Sequence, residues 1–392
     1  MLKGQDIICI ANTSWFGNYA KSTVQILERL AENNRILFVE YPYTIKDVYS
    51  TLRGKQNAPV KRMFGIEKRL QLIKTNVGTQ VYNLVIPPGL PVFFLKNEFI
   101  FNLLFPFNVF LYKLTLKRAM RKIGMKNPIA ITAYNPIFGL SLINQLGESL
   151  HFYYCYDGVE SVFFGNRIFE IEKKFSTLVK AIITTSDHLN FEKKKINENS
   201  FVVKNGVDFP VFNQFSKSRV YDRERKRVGF IGSLDPRFDI ETVAYAVGKL
   251  PNFDFEFTGD MRNEKLRSRL LEFPNVKFFD PIKPNDVPQL LATYDVGMIP
   301  YIVNEVNKNI YPLKINEYLA VGVPLVMNAF AVLPEFEGLV SVASDKEDFV
   351  RKLIAETADD TASSIRRRIE FASQNSWEAR TESFANILEK FI

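Results

Sequence analysis

RVGFIGSLDPRFDIETVAYAVGKL, residues 227–250, is the stretch whose reading decides the fold. An apolar run stops at Gly232 and Ser233, a short polar loop follows, and from Asp239 onward apolar residues recur at helical spacing. A strand that passes into a helix through a tight loop is the repeating unit of a parallel sheet. Downstream the unit repeats: strand FDFEFTG, helix NEKLRSRLLEF, strand NVKFFDP, helix NDVPQLLATY, strand DVGMIPY, helix PLKINEYLAVG, strand VPLVMN. The tail, 345–392, is helical by periodicity.

Upstream the same alternation has already run once. DIICIAN (6–12), RILFVEYP (35–42), VYNLVIP (81–87), NPIAITAY (127–134), HFYYCYD (151–157), AIITTS (181–186) and FVVKNGV (201–207) read as strands, with helical patterns between most of them. Between the two series, residues 213–227 are polar and charged and read as a linker. The chain is therefore expected to be α/β, with two Rossmann-like doubly wound parallel-sheet domains facing across a cleft. Ligands of open α/β sheets bind at the carboxyl ends of the strands.

At about 150 residues per domain, 392 residues give two to three domains. Hydrophobic residues at 46% and charged residues at 24% exclude a disordered, collagen-like or disulfide-scaffold chain. Two cysteines, Cys9 and Cys155, point to a reducing compartment. Two histidines are too few for a His-rich zinc site. Basic residues outnumber acidic ones by 51 to 43, a net charge of +8, which favours anionic partners. No nucleic-acid motif accompanies that charge, so nucleic acid is not an expected partner. Gln5 and Asp6 lie where a secretory signal would turn apolar, so a cytoplasmic location is expected.

The most apolar stretch, 91–112, is broken by Lys96, Asn97, Glu98, Asn102, Pro106 and Asn108, so a membrane span is not expected. Residues 113–126 then carry six basic side chains and no acid. This pairing fits either peripheral binding to an anionic membrane surface, the expectation taken here, or a core segment followed by a solvated basic helix.

Two motifs carry the chemistry. In IYPLKINEYLAVGVPLV (310–326) a helix starts at Pro312, suited to the first turn, and stops at Gly322 and Pro324. The free N–H groups of Leu313 and Lys314 would favour an anion, to which Lys314 adds a full charge. Glu317, one turn on, could accept hydrogen bonds from a ribose diol. Phosphate beside Lys314 and ribose beside Glu317 describe a nucleotide diphosphate, although the same spacing fits a capped core helix with Lys314 paired to Glu317. In FIGSLDPRFDIETV (230–243), Gly232 and Ser233 allow close backbone approach, Arg237 could grip a diphosphate bidentately, and Asp239 suits a helix N-cap. Neither motif is a G-x-G-x-x-G fingerprint or a Walker loop, so hydride transfer and ATP hydrolysis lose their usual support. No Asp-x-Asp motif ends a strand, so a metal-free reaction with no cofactor is expected.

In the first series, Trp15, Phe16 and Gly17 follow the first strand. Trp15 could stack on a sugar face or wedge beneath its loop, and Gly17 would let the loop approach an acceptor. Asp157 ends a strand with Glu160 just after it, and could serve as general base or as a helix N-cap. His151 and His188 read as structural.

PLKINEYLAVGVPLV, DVGMIP, FIGSLDPRFD and VVKNGVD, with the amino-terminal NTSWFGNYAKSTVQILERLAENNRILFVEYP and the central YYCYDGVE and AIITTSDHL, resemble the GT-B glycosyltransferases, in particular the family 4 type (group 1) enzymes of bacterial surface polysaccharides. The resemblance implies an acceptor-binding domain over 1–207, a nucleotide-sugar-binding domain over 208–376, and a final helix, 377–392, that crosses back to the first. It implies a hexosyltransferase that uses a nucleotide-diphosphate sugar, a glycan or lipid-linked acceptor and retention of configuration. Arg237 and Lys314 would hold the diphosphate and Glu317 the ribose. The family's Glu-x7-Glu pair departs here, because its first Glu falls at Asn309; Tyr311 or Asn309 would take part of that role. A degenerate scaffold and a nucleotide-sugar epimerase are the alternatives.

Overall fold

The computed structural model describes residues 2–17, 20–95, 97–159, 167–216, 224–260, 263–358 and 360–392. It divides into two compact units: Met1–Lys204 with Thr381–Ile392, and Asn205–Arg380.

Unit 1 holds an eight-stranded sheet. Its strands are β1 (Asp6–Ala11), β2 (Arg35–Val39), β3 (Leu70–Lys74), β4 (Gln80–Leu84), β5 (Ile129–Ala133), β6 (Leu150–Cys155), β7 (Ala181–Thr184) and β8 (Ser200–Val202). They lie in the order β3-β4-β2-β1-β5-β6-β7-β8. Every pairing is parallel except β3 with β4. The central strand β1 is apolar on both faces, and Ile7 through Ala11 are fully buried, as a parallel strand covered on two sides requires. The edge strand β3 has no counterpart in the sequence reading. Its LQLIK is half exposed, so apolar burial leaves little periodic signal.

Unit 2 is a second doubly wound sheet of β9 (Lys226–Ile231), β10 (Phe253–Thr258), β11 (Val276–Phe279), β12 (Val296–Ile299), β13 (Leu325–Asn328) and β14 (Ser341–Ala343). The order is β11-β10-β9-β12-β13-β14, and all pairs are parallel. The far end of the expected linker is in fact the start of β9, where Arg227 forms an ion pair with Glu256 on β10. Residues 217–223 of that linker lie outside the described residues. The last helix, Trp377–Glu389, begins in unit 2 and ends in unit 1, where Phe384 meets Tyr154 edge-on at 5.4 Å.

Each strand order has one reversal: between β1 and β5 in unit 1, and between β9 and β12 in unit 2. Loops leaving such neighbours diverge, which opens a crevice at their carboxyl ends. The loops leaving β1 and β5 begin at Asn12 and Tyr134, and those leaving β9 and β12 at Gly232 and Pro300.

One element departs from its expectation. The broken apolar stretch and the basic stretch form a single helix, Glu98–Lys122, running straight through Pro106. By length and composition alone it is long and apolar enough to cross a membrane. One of its faces packs into the core of unit 1 through Phe101, Phe105, Tyr112 and Leu116.

Candidate active site

The crevice of unit 2 is built on Gly232. Its φ is +141°, a region that side chains avoid, and a Cβ there would lie 2.2 Å from the Lys314 Nζ. Glycine thus lets the lysine reach across the end of β9. The Lys314 ammonium sits 4.3 Å from the Phe230 ring centroid and donates to the Tyr301 hydroxyl at 3.2 Å. The loop after β9 is stitched to its neighbours: Gly232 N donates to Thr258 O at 2.9 Å, Asp239 N to Pro300 O at 2.8 Å, and Ile302 N to Arg237 O at 2.7 Å. Ser233 is partly exposed within this loop.

Lys314 rides on the helix Leu313–Ala320, whose start no side chain caps. The N–H groups of partly exposed Leu313 and Lys314 are therefore left for an outside acceptor. Tyr318 seats this helix by donating to Gly229 O at 3.0 Å. Two glycines make room beneath it. A Cβ at Gly297 would lie 2.4 Å from the Tyr318 ring, and one at Gly229 would lie 2.1 Å from the Tyr294 ring.

Arg237 is already engaged. Its guanidinium grips Asp235, with Nε at 2.9 and 3.0 Å from the two carboxylate oxygens and Nη2 also on Oδ2, and lies over the Tyr301 ring. Burial raises the Asp235 pKa, but the Arg237 hydrogen bonds and charge, helped by Lys314, outweigh it and hold the carboxyl below its usual value. Asp235 was not singled out in the sequence, where it reads as an ordinary turn residue before Pro236. Asp239 is the N-cap of Ile240–Lys249, accepting from Thr242 N at 3.1 Å.

Glu317 is partly buried one turn beyond Lys314. Burial pushes its carboxyl up to about 7, against the pull of the Lys314 charge. Among the described residues no hydrogen bond reaches Glu317 and no ion pair joins it to Lys314, so the paired-helix alternative is not what the structure adopts. Tyr311 needs correcting as a donor contact. It is 3% exposed, packs at a tilt against Phe336, and takes a hydrogen bond from Asn316 at 3.4 Å, so its ring belongs to the core. Asn309 is likewise buried and donates to Glu305 O at 3.4 Å.

In unit 1, Trp15 also needs correcting. Its ring is 8% exposed and packs edge-on against Phe38, so it wedges under the loop and presents no face to a sugar. Phe16 is the exposed aromatic, at 57%. Gly17, at φ +151°, is within 3.0 Å of the Lys21 ammonium if given a Cβ. That ammonium ties the loop together by donating to Ser14 O at 2.5 Å and Phe16 O at 2.6 Å. Buried Glu40, at the end of β2, accepts from Trp15 N and from Asn83 Nδ2. Neither Lys21 nor Glu40 carries a sequence signal for this role.

Asp157 lies just past β6, partly exposed, with its carboxylate accepting from Gly158 N at 2.8 Å. Glu160 lies outside the described residues. His151 is buried 2.8 Å from Thr132 Oγ1, a structural contact. A cavity of about 490 Å³ in unit 1 is lined by Leu150, His151, Lys180 and Asn199 at the amino ends of its strands. Ligands of such sheets bind at the opposite ends.

Residues 225–359 match the family model described as glycosyl transferases group 1. A teichuronic acid biosynthesis glycosyltransferase by name, TuaH of Bacillus subtilis (strain 168), is 33% identical over 156 residues, or 37% of this chain. The matched stretch spans 39% of that relative's length. Among solved structures, sucrose-phosphate synthase from Thermosynechococcus elongatus superimposes with a TM-score of 0.72 at 14% identity, over 98% of this chain and 99% of that one. Anabaena HepE in complex with UDP and glucose gives 0.67 at 13% identity, over 99% and 100%. Residues 225–359 thus resemble a group 1 glycosyl transferase domain, and the whole chain shares the fold of these solved structures.

Proposed function

We propose that the chain is a metal-independent, retaining glycosyltransferase that moves a sugar from a nucleotide diphosphate to a glycan or lipid-linked acceptor in cell-surface glycan synthesis. The observation that carries this is the corner where Lys314, Arg237 and an uncapped helix start meet at the β9/β12 reversal, with Glu317 one turn away. It lies inside the segment that matches the group 1 model. The name of the Bacillus subtilis relative supports a surface glycan, and the UDP and glucose in the Anabaena structure's title support a nucleotide-sugar donor.

The parts have distinct roles in this reading. Lys314 and the N–H groups of Leu313 and Lys314 take the diphosphate, and Gly232 and Ser233 give it room. Arg237 turns from Asp235 toward it, or shares both. Glu317 accepts from the ribose hydroxyls. As the acceptor oxygen bonds to C1 of the sugar, the C1–O bond to the diphosphate breaks and the acceptor's hydroxyl proton passes to the departing phosphate oxygen. Preorganised positive charge at that corner then stabilises the leaving group. The acceptor lies in unit 1, beside Phe16, Gly17 and Asp157, where Asp157 positions its hydroxyl. The protein works at the cytoplasmic face of a membrane.

Transfer itself is the test. The protein is incubated with a panel of sugar-labelled nucleotide sugars and a membrane extract. Label from one donor should move to an extractable product with release of the matching diphosphate, and chelation should leave the rate unchanged. No transfer from any donor would contradict the reading.

A further inference from the structure

The helix Glu98–Lys122 has one face in the core of unit 1 and one face bare. Phe99 (77% exposed), Leu103 (66%), Phe107 (49%) and Phe110 (59%) recur at intervals of four, four and three, which places them in a single stripe. The stripe continues into exposed Lys117 and Arg121, with exposed Arg118 and Lys122 beside it. Glu98 is the one acid in the helix. An apolar half followed by a basic half, without interspersed acids, is the pattern of a surface that meets acyl chains and anionic headgroups together.

A second helix in the same unit also bares an apolar face, and its one acid, Asp47, is spent on the helix cap with Thr44. In Ile45–Leu52, the exposed residues Ile45, Tyr49 and Leu52 lie at helical spacing, with Lys46 and Arg53 beside them and the Arg53 guanidinium 4.3 Å above the Tyr49 ring. The two helices share a strut. Ile45 N donates to Gly89 O at 3.0 Å, while Asn108 of the long helix both accepts from Leu90 N at 2.7 Å and donates to Leu90 O at 2.9 Å. A Cβ on Gly89 would lie 2.9 Å from the Asn108 Oδ1, so this strut needs a glycine.

Between the starts of these helices is a small apolar cavity of about 40 Å³. Tyr41 and Pro42, which lead into the first helix, line it with Phe93, which leads into the second, and with Tyr134 and Asn135 at the end of β5. Tyr134 has a φ of +51°, a left-handed backbone that is costly for an aromatic residue and that gathers at functional sites. Its hydroxyl donates to Gly158 O at 2.6 Å, beside Asp157.

From these three features we infer that unit 1 docks on an anionic bilayer through the bare faces of Ile45–Leu52 and Glu98–Lys122. The acceptor is then a lipid-anchored sugar delivered from that bilayer to the carboxyl ends of β1 and β5. The inference rests on the proposed placement of the acceptor in unit 1, but the docking itself does not need it. The bilayer is the occupant that fits both halves of the stripe, because a second copy of this chain would set basic residues against basic residues. The long helix docks and does not span: its other face is already spent on the core, and Asn108 ties it to the strut.

The test is flotation of the full chain with vesicles of phosphatidylcholine, alone or mixed with phosphatidylglycerol. The wild type should float with the mixed vesicles, stay behind with phosphatidylcholine alone, and be released by high salt. The triple variant Leu103→Ser/Phe107→Ser/Phe110→Ser and the double variant Lys117→Glu/Arg121→Glu should each lower the bound fraction about tenfold or more. Nucleotide binding in unit 2 should be unchanged in both, which reports that they fold. A wild type that never floats, or variants that float like it, would overturn the inference. So would a wild-type dimer that the serine variant dissociates, since the face would then be an interface between copies. Vesicle binding without sugar transfer would leave the docking standing and remove the acceptor reading. Transfer to a water-soluble acceptor without vesicle binding would remove both the docking and the lipid-anchored acceptor, and leave the proposed glycosyl transfer standing.

Discussion

Glu317 shows how one side chain ties the fold to the donor reading. Its carboxyl titrates near 7 in the folded protein, against an ordinary value of 4.5, because burial disfavours the charge. Between those values the native state holds a proton that the unfolded chain has released. Stability from this group is therefore greatest below about pH 4.5 and falls as pH rises through about 7. Glu317→Gln should remove that slope and stabilise the protein above pH 7 by on the order of 2–3 kcal/mol, read by urea denaturation at two pH values. Nucleotide affinity should move the opposite way. A ribose diol donates best to a carboxylate, so affinity should rise with pH up to about 7 in the wild type and lose that rise in the Gln variant. An affinity that ignores both pH and the substitution would separate Glu317 from the ribose. At this scale the sequence placed Lys314 and Glu317 one turn apart on a single helix, as the structure has them. It was silent about Asp235, whose grip on Arg237 follows from a turn geometry that the letters D-P-R do not reveal. It misled for Trp15 and Tyr311, because an aromatic before a helix looks the same whether its ring faces a ligand or the core.

Elements decide where those residues point. The helix Leu313–Ala320 is held on its sheet by Tyr318, which fits because residue 297 has no Cβ. Gly297→Ala should force that ring, and the helix above it, away from β12. Overpacking of this kind costs about 1–3 kcal/mol. Because Lys314 rides on the same helix, nucleotide affinity should drop with stability. Loss of stability with unchanged affinity would mean that the helix does not position the site. Pro312 and Gly322 made this helix legible, and Asp239 made its neighbour legible, because caps have a local code. The edge strand β3 was not legible, since partial burial on both faces leaves no clean alternation. The Glu98–Lys122 helix was legible only in halves: Pro106 and three asparagines look like breaks in sequence, yet Pro106 sits on the exposed side and Asn108 bonds sideways to Leu90.

Over the whole molecule, the two sheets were readable because parallel strands buried on both faces appear as continuous apolar runs, and both series contain them. The proposed donor half was more readable than the proposed acceptor half. A diphosphate demands particular charges at a particular helix start, whereas an acceptor site can be assembled from loops such as 12–17 and 134–135 that share no spacing rule. Stereochemistry belongs to this scale, because it depends on how donor and acceptor meet. The product's anomeric configuration, read by NMR, should match that of the donor sugar. An inverted product would reject retention and promote Asp157 from positioning residue to general base.

The most direct measurement of the central claim is calorimetric titration of UDP, GDP, ADP, dTDP and CMP into the wild type, Lys314→Ala and Glu317→Ala. One nucleoside diphosphate should bind the wild type, and each variant should weaken it about tenfold or more, the loss of one charge-assisted contact. If no nucleotide binds at millimolar concentration, or if both variants bind as the wild type does, the corner at Lys314 is not a donor site and the chain is a glycosyltransferase fold put to another use.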